Sequence, residues 1–376
     1  MRKGPEPLII IDDPGRDSDG EHAALTAVGM ENFGEFVMKA YVANDTAAPR
    51  RAKLMSSLFE VIGRHNLPVL VGEDPDPSDF QPYEFETTYR QSTKPLLSAT
   101  EHLPKIIEKE EDDSVVLALT SSHTDAKILF ENHPDLCAQK INRVTMMGGI
   151  KTAWGQPELK DGLLQPDSSF NYTCNREAAR YTFNFLQTAG IPITFVSRYA
   201  VYGMPHFGGS PSPVWVDTKW SILETLRARD LNSAQSYWEV VHEPPSSPRR
   251  ARLAPERDRA HFVHTRLRGN DPGIGPKDDI RPFINEVIGW RNLYDSYAMY
   301  FSKRRNIEDH ARPHYYNYGD HNGHNQPPLQ TVIGLSKDNP GVSMYDEEGY
   351  LLRAPVGAWI HGHILNAVTQ TSRYAA

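Results

Sequence analysis

Leu8-Ile9-Ile10-Ile11-Asp12-Asp13-Pro14-Gly15-Arg16-Asp17-Ser18-Asp19-Gly20-Glu21 is the stretch on which the fold turns. Four consecutive apolar residues suit a strand buried on both faces, and Pro14-Gly15 breaks it sharply. Residues 21–30 resume with apolar side chains at helical spacing, so the acids fall on a strand-to-helix loop. Five carboxylates within the ten residues 12–21 repel one another. That repulsion costs stability unless a hard cation, a bound hydroxyl or a proton takes up the charge. In open α/β sheets the loops at the carboxyl ends of strands are where ligands bind, so this loop is the first candidate for a metal or sugar site.

Outward from this loop the same alternation recurs. Apolar runs at 68–71, 115–119, 144–147 and 191–196 predict strands. Periodic stretches at 124–132 and 176–189 predict helices, and residues 35–42 and 50–64 add a further strand and helix. Strands alternating with helices predict a Rossmann-like, mostly parallel open sheet with helices on both faces, an α/β fold. Beyond it the segment EPPSSPRRARLAPERDR at 243–259 is rich in proline and arginine and predicts a mobile loop or insertion at 243–260. Residues 282–289 and 293–302 predict helices, and a polar extension follows from about residue 305, the whole of 1–376 being read as a single domain.

The composition narrows the function classes. With a net charge of −8 over 376 residues, the chain lacks the broad basic face of a nucleic-acid binder. Its two cysteines, Cys137 and Cys174, have no metal-ligand spacing, which fits a reducing compartment. The opening MRKGPEPLIII has too short an apolar stretch for a signal-peptide core, and no run approaches a membrane span, so the expectation is a cytoplasmic protein without a membrane partner. His310, His314, His321 and His324 lie in an aromatic, Asn- and Gly-containing stretch without the repeated Cys/His arrangement of a zinc site. His361 and His363, two residues apart, do not share a helical face and read as packing or surface residues.

The acidic loop resembles the Asp-Pro-Gly loop of the nucleoside hydrolase superfamily, the inosine/uridine-preferring N-ribohydrolases, and later segments match in order. VTMMGGI at 144–150 is similar to the family's strand ending in Met-Gly-Gly, SSFNYTCNREAA at 168–179 to its Glu-Phe-Asn segment, and LYDSYA at 293–298 to its His-Asp motif at a helix start. The longer acidic loop and the tyrosine before Asp295 resemble a divergent branch that includes type III effectors of plant-pathogenic bacteria. The resemblance implies one Ca²⁺ at the carboxyl ends of the strands and hydrolysis of a ribosyl C–N bond. It implies Asp13 as metal ligand and catalytic base, Asp17, Asp19, the Thr124 carbonyl and Asp295 as further metal ligands, and Asp19, Asn44, Asp167 and Asn171 around the ribose. Tyr294, Trp220 and Trp238 are implied as contacts to the leaving group or base, beside the reading of such aromatics as core. A homo-oligomer, a host protein partner and export into a host cell by a non-classical route are further expectations from the resemblance.

The chemistry points the same way. Cleaving a ribosyl C–N bond builds positive charge on the sugar, which carboxylates around the ring stabilise. Oxygen ligands are hard and suit Ca²⁺ rather than zinc.

The loop also departs from the family. In place of two adjacent aspartates before the helix stands Asp17-Ser18-Asp19-Gly20-Glu21. If helix register decides, Gly20 occupies the place of a metal-ligating aspartate; if distance from Pro14-Gly15 decides, Asp17 and Ser18 take the two places. Glu21 stands in the first helical turn, within reach of an ion there. Ser169 replaces the glutamate before Phe170-Asn171, with Asp167 as its substitute, and Tyr294 replaces the histidine before the late aspartate. These exchanges leave two expectations open, an N-ribosyl hydrolase and a catalytically degenerate protein that binds a nucleoside or ADP-ribose.

Overall fold

A computed structural model describes residues 4–75, 80–202, 221–251, 253, 257–267, 269–285, 294–317, 330–339, 341–342 and 356–370. The strands in chain order are β1 (Glu6–Asp12), β2 (Phe36–Ala43), β3 (Val69–Val71), β4 (Leu97–Ser98), β5 (Val115–Leu119), β6 (Ile141–Met147), the short hairpin strands β7 (Thr152–Ala153), β8 (Gln156–Pro157), β9 (Leu159–Lys160) and β10 (Leu163–Leu164), then β11 (Ile193–Val196), β12 (His314–Tyr316) and β13 (Gln330–Ile333). Among the described residues nine of them form one sheet in the order β12-β13-β11-β6-β5-β1-β2-β3-β4. Every neighbouring pair is parallel except β12 with β13 at the edge.

The side-chain period of two splits each central strand between two cores. Leu8 and Ile10 of β1 and Val116 and Ala118 of β5 face α1 (Asp19–Asn32), α2 (Ala48–Val61), the helix Tyr294–Phe301 and the helix Val356–Gln370. Ile9 and Ile11 of β1 and Leu117 and Leu119 of β5 face α3 (Ala99–Glu108), α4 (Thr124–Asn132), α5 (Pro134–Lys140) and α7 (Arg176–Thr188). The short α6 (Phe170–Cys174) leads into α7, and α8 (Arg198–Tyr202) follows β11. This is the doubly wound α/β architecture expected from the alternation.

Chain order places the site. From β1 the chain moves to β2, β3 and β4 on one side, then β5 returns to the other side of β1 and is followed by β6, β11 and β13. The direction reverses between β1 and β5, so the acidic loop after β1 opens into the crevice at the switch point.

One expectation is corrected. The region after residue 305 is no polar extension: Val332 and Ile333 of β13 are buried in the sheet, and Ile360, Ile364 and Val368 of the helix Val356–Gln370 pack into the α1 core. Its histidines, tyrosines and asparagines obscured a strand only four residues long. The segment at 243–260 contains the short helix Pro248–Ala251 and the ion pair Arg249–Glu243 at 2.8 Å. It borders a small separate core of Trp238, Val241, Phe262, Val263, Leu267 and Ile280, against which Leu253 packs.

Candidate functional site

α1 begins at Asp19 with Ser18 as its N-cap. Asp19 and Gly20 are its first two residues. The consequence is visible at Gly20: a Cβ there would lie 2.7 Å from Asp12 Oδ2 and 3.1 Å from the Pro14 Cα. The space beside position 20 is therefore occupied by the carboxylate of Asp12. Asp12 is two residues beyond Ile10 and shares its face of β1, the face covered by α1. It is fully buried, accepts the Tyr41 hydroxyl at 2.6 Å and the Asp13 amide at 2.9 Å. Reading the loop by its distance from Pro14-Gly15 hid this residue; its parity in the strand is the signal that would have found it.

The structure brings Asp12, Asp13, Asp17, Asp19 and Asp295 into one electrostatic group, although Asp295 lies on the first turn of the helix Tyr294–Phe301. Asp12 and Asp295 are buried, while Asp13, Asp17 and Asp19 are half-buried and open to the crevice. Loss of solvation raises the Asp12 carboxyl, opposed by hydrogen bonds from Tyr41, Thr120 and the Asp13 amide. Asp13 is pushed well above the ordinary range by desolvation, with Asp45, Asp12 and Asp17 adding repulsion and the Arg51 guanidinium opposing it. Asp19 and Asp295 are raised well above it for the same first reason and by their acidic neighbours, and a hydrogen bond links the two. Placement of Asp19 and Glu21 in the first turn of α1 offsets part of this cost through the helix dipole.

Two buried arginines hold the loop. Arg51 of α2 donates to the Asp13 carbonyl at 2.7 Å, to the Pro14 carbonyl, and to the Thr46 carbonyl at 2.6 Å, and it faces the buried Glu84 carboxylate at 3.6 Å. Arg229, on the helix Ser221–Val241, pairs with Glu21 and donates to the Glu86 carbonyl at 3.0 Å. The adjacent Asp230 accepts the Ser18 amide at 3.1 Å. Glu21 pairs with Arg229 through one carboxylate oxygen, while its Oε2 is buried without a hydrogen-bond partner among the described residues.

The remaining candidates divide. Asn171 sits at the ends of β5 and β6, its Nδ2 donating to the Thr120 carbonyl at 2.8 Å and the Met147 carbonyl at 3.2 Å. Asp167 is held by the Ser169 amide at 2.7 Å, and Gly149 leaves room for it, a Cβ there lying 2.7 Å from Asp167 Oδ2. Burial raises its carboxyl, with Ser169 and Arg198 opposing. Asn44 is fully buried, donates to Asp125 Oδ2 at 2.9 Å and the Ser122 carbonyl at 3.0 Å, and accepts from Ser121 at 2.6 Å, so its amide braces the loops at both ends. Thr124 opens α4, its hydroxyl bonded to Ser122 at 2.9 Å and Asn175 at 3.0 Å. Tyr294 is half-buried beside Asp295. Trp238 is no base contact: it is fully buried, donates to the Gly275 carbonyl at 3.0 Å and packs on Phe262 in the separate small core. Trp220 lies outside the described residues.

The donor set at the loop is one of carboxylate oxygens carrying mutual repulsion, which in chemistry fits a hard cation such as Ca²⁺. It is not a closed cage, since among the described residues no three His, Cys, Asp or Glu side chains are arranged to hold a metal ion.

By sequence, no protein-family model and no curated protein matches the chain significantly. In three dimensions it is similar to the type III effector protein XopQ, solved in complex with adenosine diphosphate ribose, with a TM-score of 0.71 and 18% identity over 98% of this chain and 96% of that one. It is equally similar to the effector protein XOO4466, with a TM-score of 0.71 and 18% identity over 98% and 95% of the two chains. A purine-preferring ribonucleoside hydrolase from Gardnerella vaginalis matches over 98% of this chain and 100% of its own, with a TM-score of 0.55 and 12% identity. The chain has the nucleoside hydrolase fold. Within that fold it stands nearer to these effectors than to the hydrolase, as the longer acidic loop and Tyr294 led us to expect. Also among the described residues, no helix is long and apolar enough to cross a membrane.

Proposed function

We propose that this chain hydrolyses the N-glycosidic bond of a ribosyl compound in the crevice between β1 and β5. The observation that carries the reading is the assembly of carboxylates from residues 12–19 and from residue 295 at the carboxyl ends of the central strands. A Ca²⁺ held by Asp13, Asp19 and Asp295 would supply orientation of the ribose diol and of a water whose pKa it lowers. The Asp13 carboxylate takes the proton of a water as the water oxygen bonds to the anomeric carbon, while the bond from that carbon to the leaving nitrogen breaks. Asp12 and Asp19 place negative charge beside the sugar as it becomes cationic. Asp167 and Asn171 at the end of β6 orient the ribose hydroxyls. Tyr294 is the residue assigned to give the departing group a proton.

Free ribose released from a panel of nucleosides and ADP-ribose, with Ca²⁺ and with EDTA, tests this reading. Asp13→Asn is expected to lower the release at least about 100-fold, the range of a lost general base. A folded, Ca²⁺-replete wild-type protein that frees no ribose from any of them sinks it.

A second reading, binding without turnover, is favoured by one observation. Ser169 stands where a ribose-binding glutamate is expected, and the chain is similar in shape to an effector solved with ADP-ribose. Calorimetric binding of ADP-ribose that is indifferent to Ca²⁺, with no product on long incubation, would select it. Export into a host cell and a host protein partner belong with that reading.

A further inference from the structure

One face of the helix Val356–Gln370 packs into the α1 core, and the other lies in solvent. The fifteen residues of this helix include no Asp, Glu, Lys or Arg. Its outward positions are Ala358, Trp359, Gly362, Leu365, Asn366 and Thr369, and Trp359 is 53% exposed. A solvent-facing helix surface ordinarily carries charge, and a tryptophan left in water forgoes the large burial it can supply. Gly362 weakens the helix interior, yet a Cβ there would meet nothing within 4 Å, so packing within the chain does not account for it.

Beside this face Phe33, the C-cap of α1, is 61% exposed. A chain of aromatic contacts joins the two exposed rings: Phe33 to His363 at 5.3 Å, His363 to Tyr300 at 6.3 Å, Tyr300 to His310 at 5.9 Å and His310 to Trp359 at 6.4 Å between ring centres. Scattered apolar side chains on a surface need no explanation, but a continuous tract does. An uncharged aromatic centre inside a charged rim is the build of a protein interface.

The rim selects the partner. His310 ends the helix Arg304–His310, on which the exposed Arg305 and Asp309 pair at 3.3 Å, one turn apart. Arg305 acts on the carboxyl of Glu35, two residues beyond Phe33, and Asp309 acts on Tyr300, so both stand at the edge of the tract. A rim of both signs suits neither a lipid surface or nucleic acid of one charge nor an acidic or basic peptide. It suits its own copy, because in a twofold interface residue i meets j while j meets i. Local neutrality also spares two chains of net charge −8 a like-charge contact.

We infer that the outward face of the helix Val356–Gln370, with Phe33, pairs two copies of this chain about a twofold axis. Trp359 lies in the centre, the backbones approach at Gly362, and Arg305 of each copy meets Asp309 of the other. The inference is independent of whether the crevice is catalytic.

Sedimentation velocity of the full chain over about 0.1–100 μM tests it, a range in which a standard interface associates. A two-copy species is expected to grow with concentration. Trp359 occurs twice in a twofold interface, so Trp359→Glu should weaken pairing at least about 100-fold, and Gly362→Arg should do the same by filling the approach. Both should keep the wild-type far-ultraviolet circular dichroism, because both positions are exposed. Arg305→Glu and Asp309→Arg should each pair more weakly alone and recover near wild-type pairing when mixed, since only the mixture sets opposite charges at both contacts. A wild-type chain that stays single throughout the range, a Trp359→Glu or Gly362→Arg protein that pairs like wild type, or a mixture no stronger than its separate parts overturns the inference.

Discussion

At the scale of single residues, Asp12 and Gly20 share one space beneath the first turn of α1. Asp12 reaches the space beside Gly20 because strand parity aims it at α1, and a second acid at position 20 would meet it at 2.7 Å. Gly20→Asp is therefore expected to destabilise the fold by about 1–3 kcal/mol through overpacking, and more through like charge. Asp12→Ser/Gly20→Asp should recover most of that loss, a comparison that urea unfolding of the three proteins would make. If the single variant unfolds like wild type, the two positions do not share this space. His361 gives a separate test. Desolvation pushes its imidazole down to about 4, so between that value and the ordinary value near 6.5 the unfolded chain binds the extra proton. Its contribution to stability is complete above pH 6.5 and is lost as pH falls toward 4. The raised aspartates work in the opposite sense, so the effect is read as a difference. His361→Gln should remove a slope of up to about 1.4 kcal/mol per pH unit, and identical slopes for variant and wild type would contradict the assignment.

Elements were legible where burial was two-sided and periodicity clean. The 115–119 strand and the 124–132 helix have the expected boundaries, and β1, β2 and α7 differ by a residue or two at their ends. α3 was not anticipated, since Pro104 and the charged run after it interrupt its pattern. The candidate aspartates were readable because they surround a Pro-Gly break or open a helix. Arg51 and Arg229 were not, because nothing local marks an arginine whose partners are 33 and 208 residues away. Arg229 fastens the helix Ser221–Val241 to the first turn of α1, and removing it leaves Glu21 buried and unpaired. Arg229→Ala is expected to cost about 3–5 kcal/mol, while Glu21→Met/Arg229→Met should cost much less. A denaturation cycle on these variants checks both figures, and a small single-variant loss would show that the pair is not buried in solution.

The whole molecule is built unevenly. The sheet has a large core on each face, whereas Trp238, Phe262 and their neighbours share a cluster of six buried residues. Fewer buried contacts lower the free energy of local opening. Backbone amides of residues 236–241 and 260–266 should exchange with deuterium well before those of β1 and β5, which mass spectrometry of peptides would show. Uniform protection would mean that the small cluster unfolds only with the sheet.

The exchange between Asp12 and Gly20 bears finally on how relatives of this chain can be recognised. A pattern that counts positions along the loop scores an acid as lost when the folded chain supplies it from the preceding strand. Distant homologues that share the contact between Asp12 and Gly20 would pass unnoticed by such patterns. They become detectable when aspartate at the last residue of the strand is sought together with glycine at the second residue of the helix, a paired signature in which neither half is informative alone.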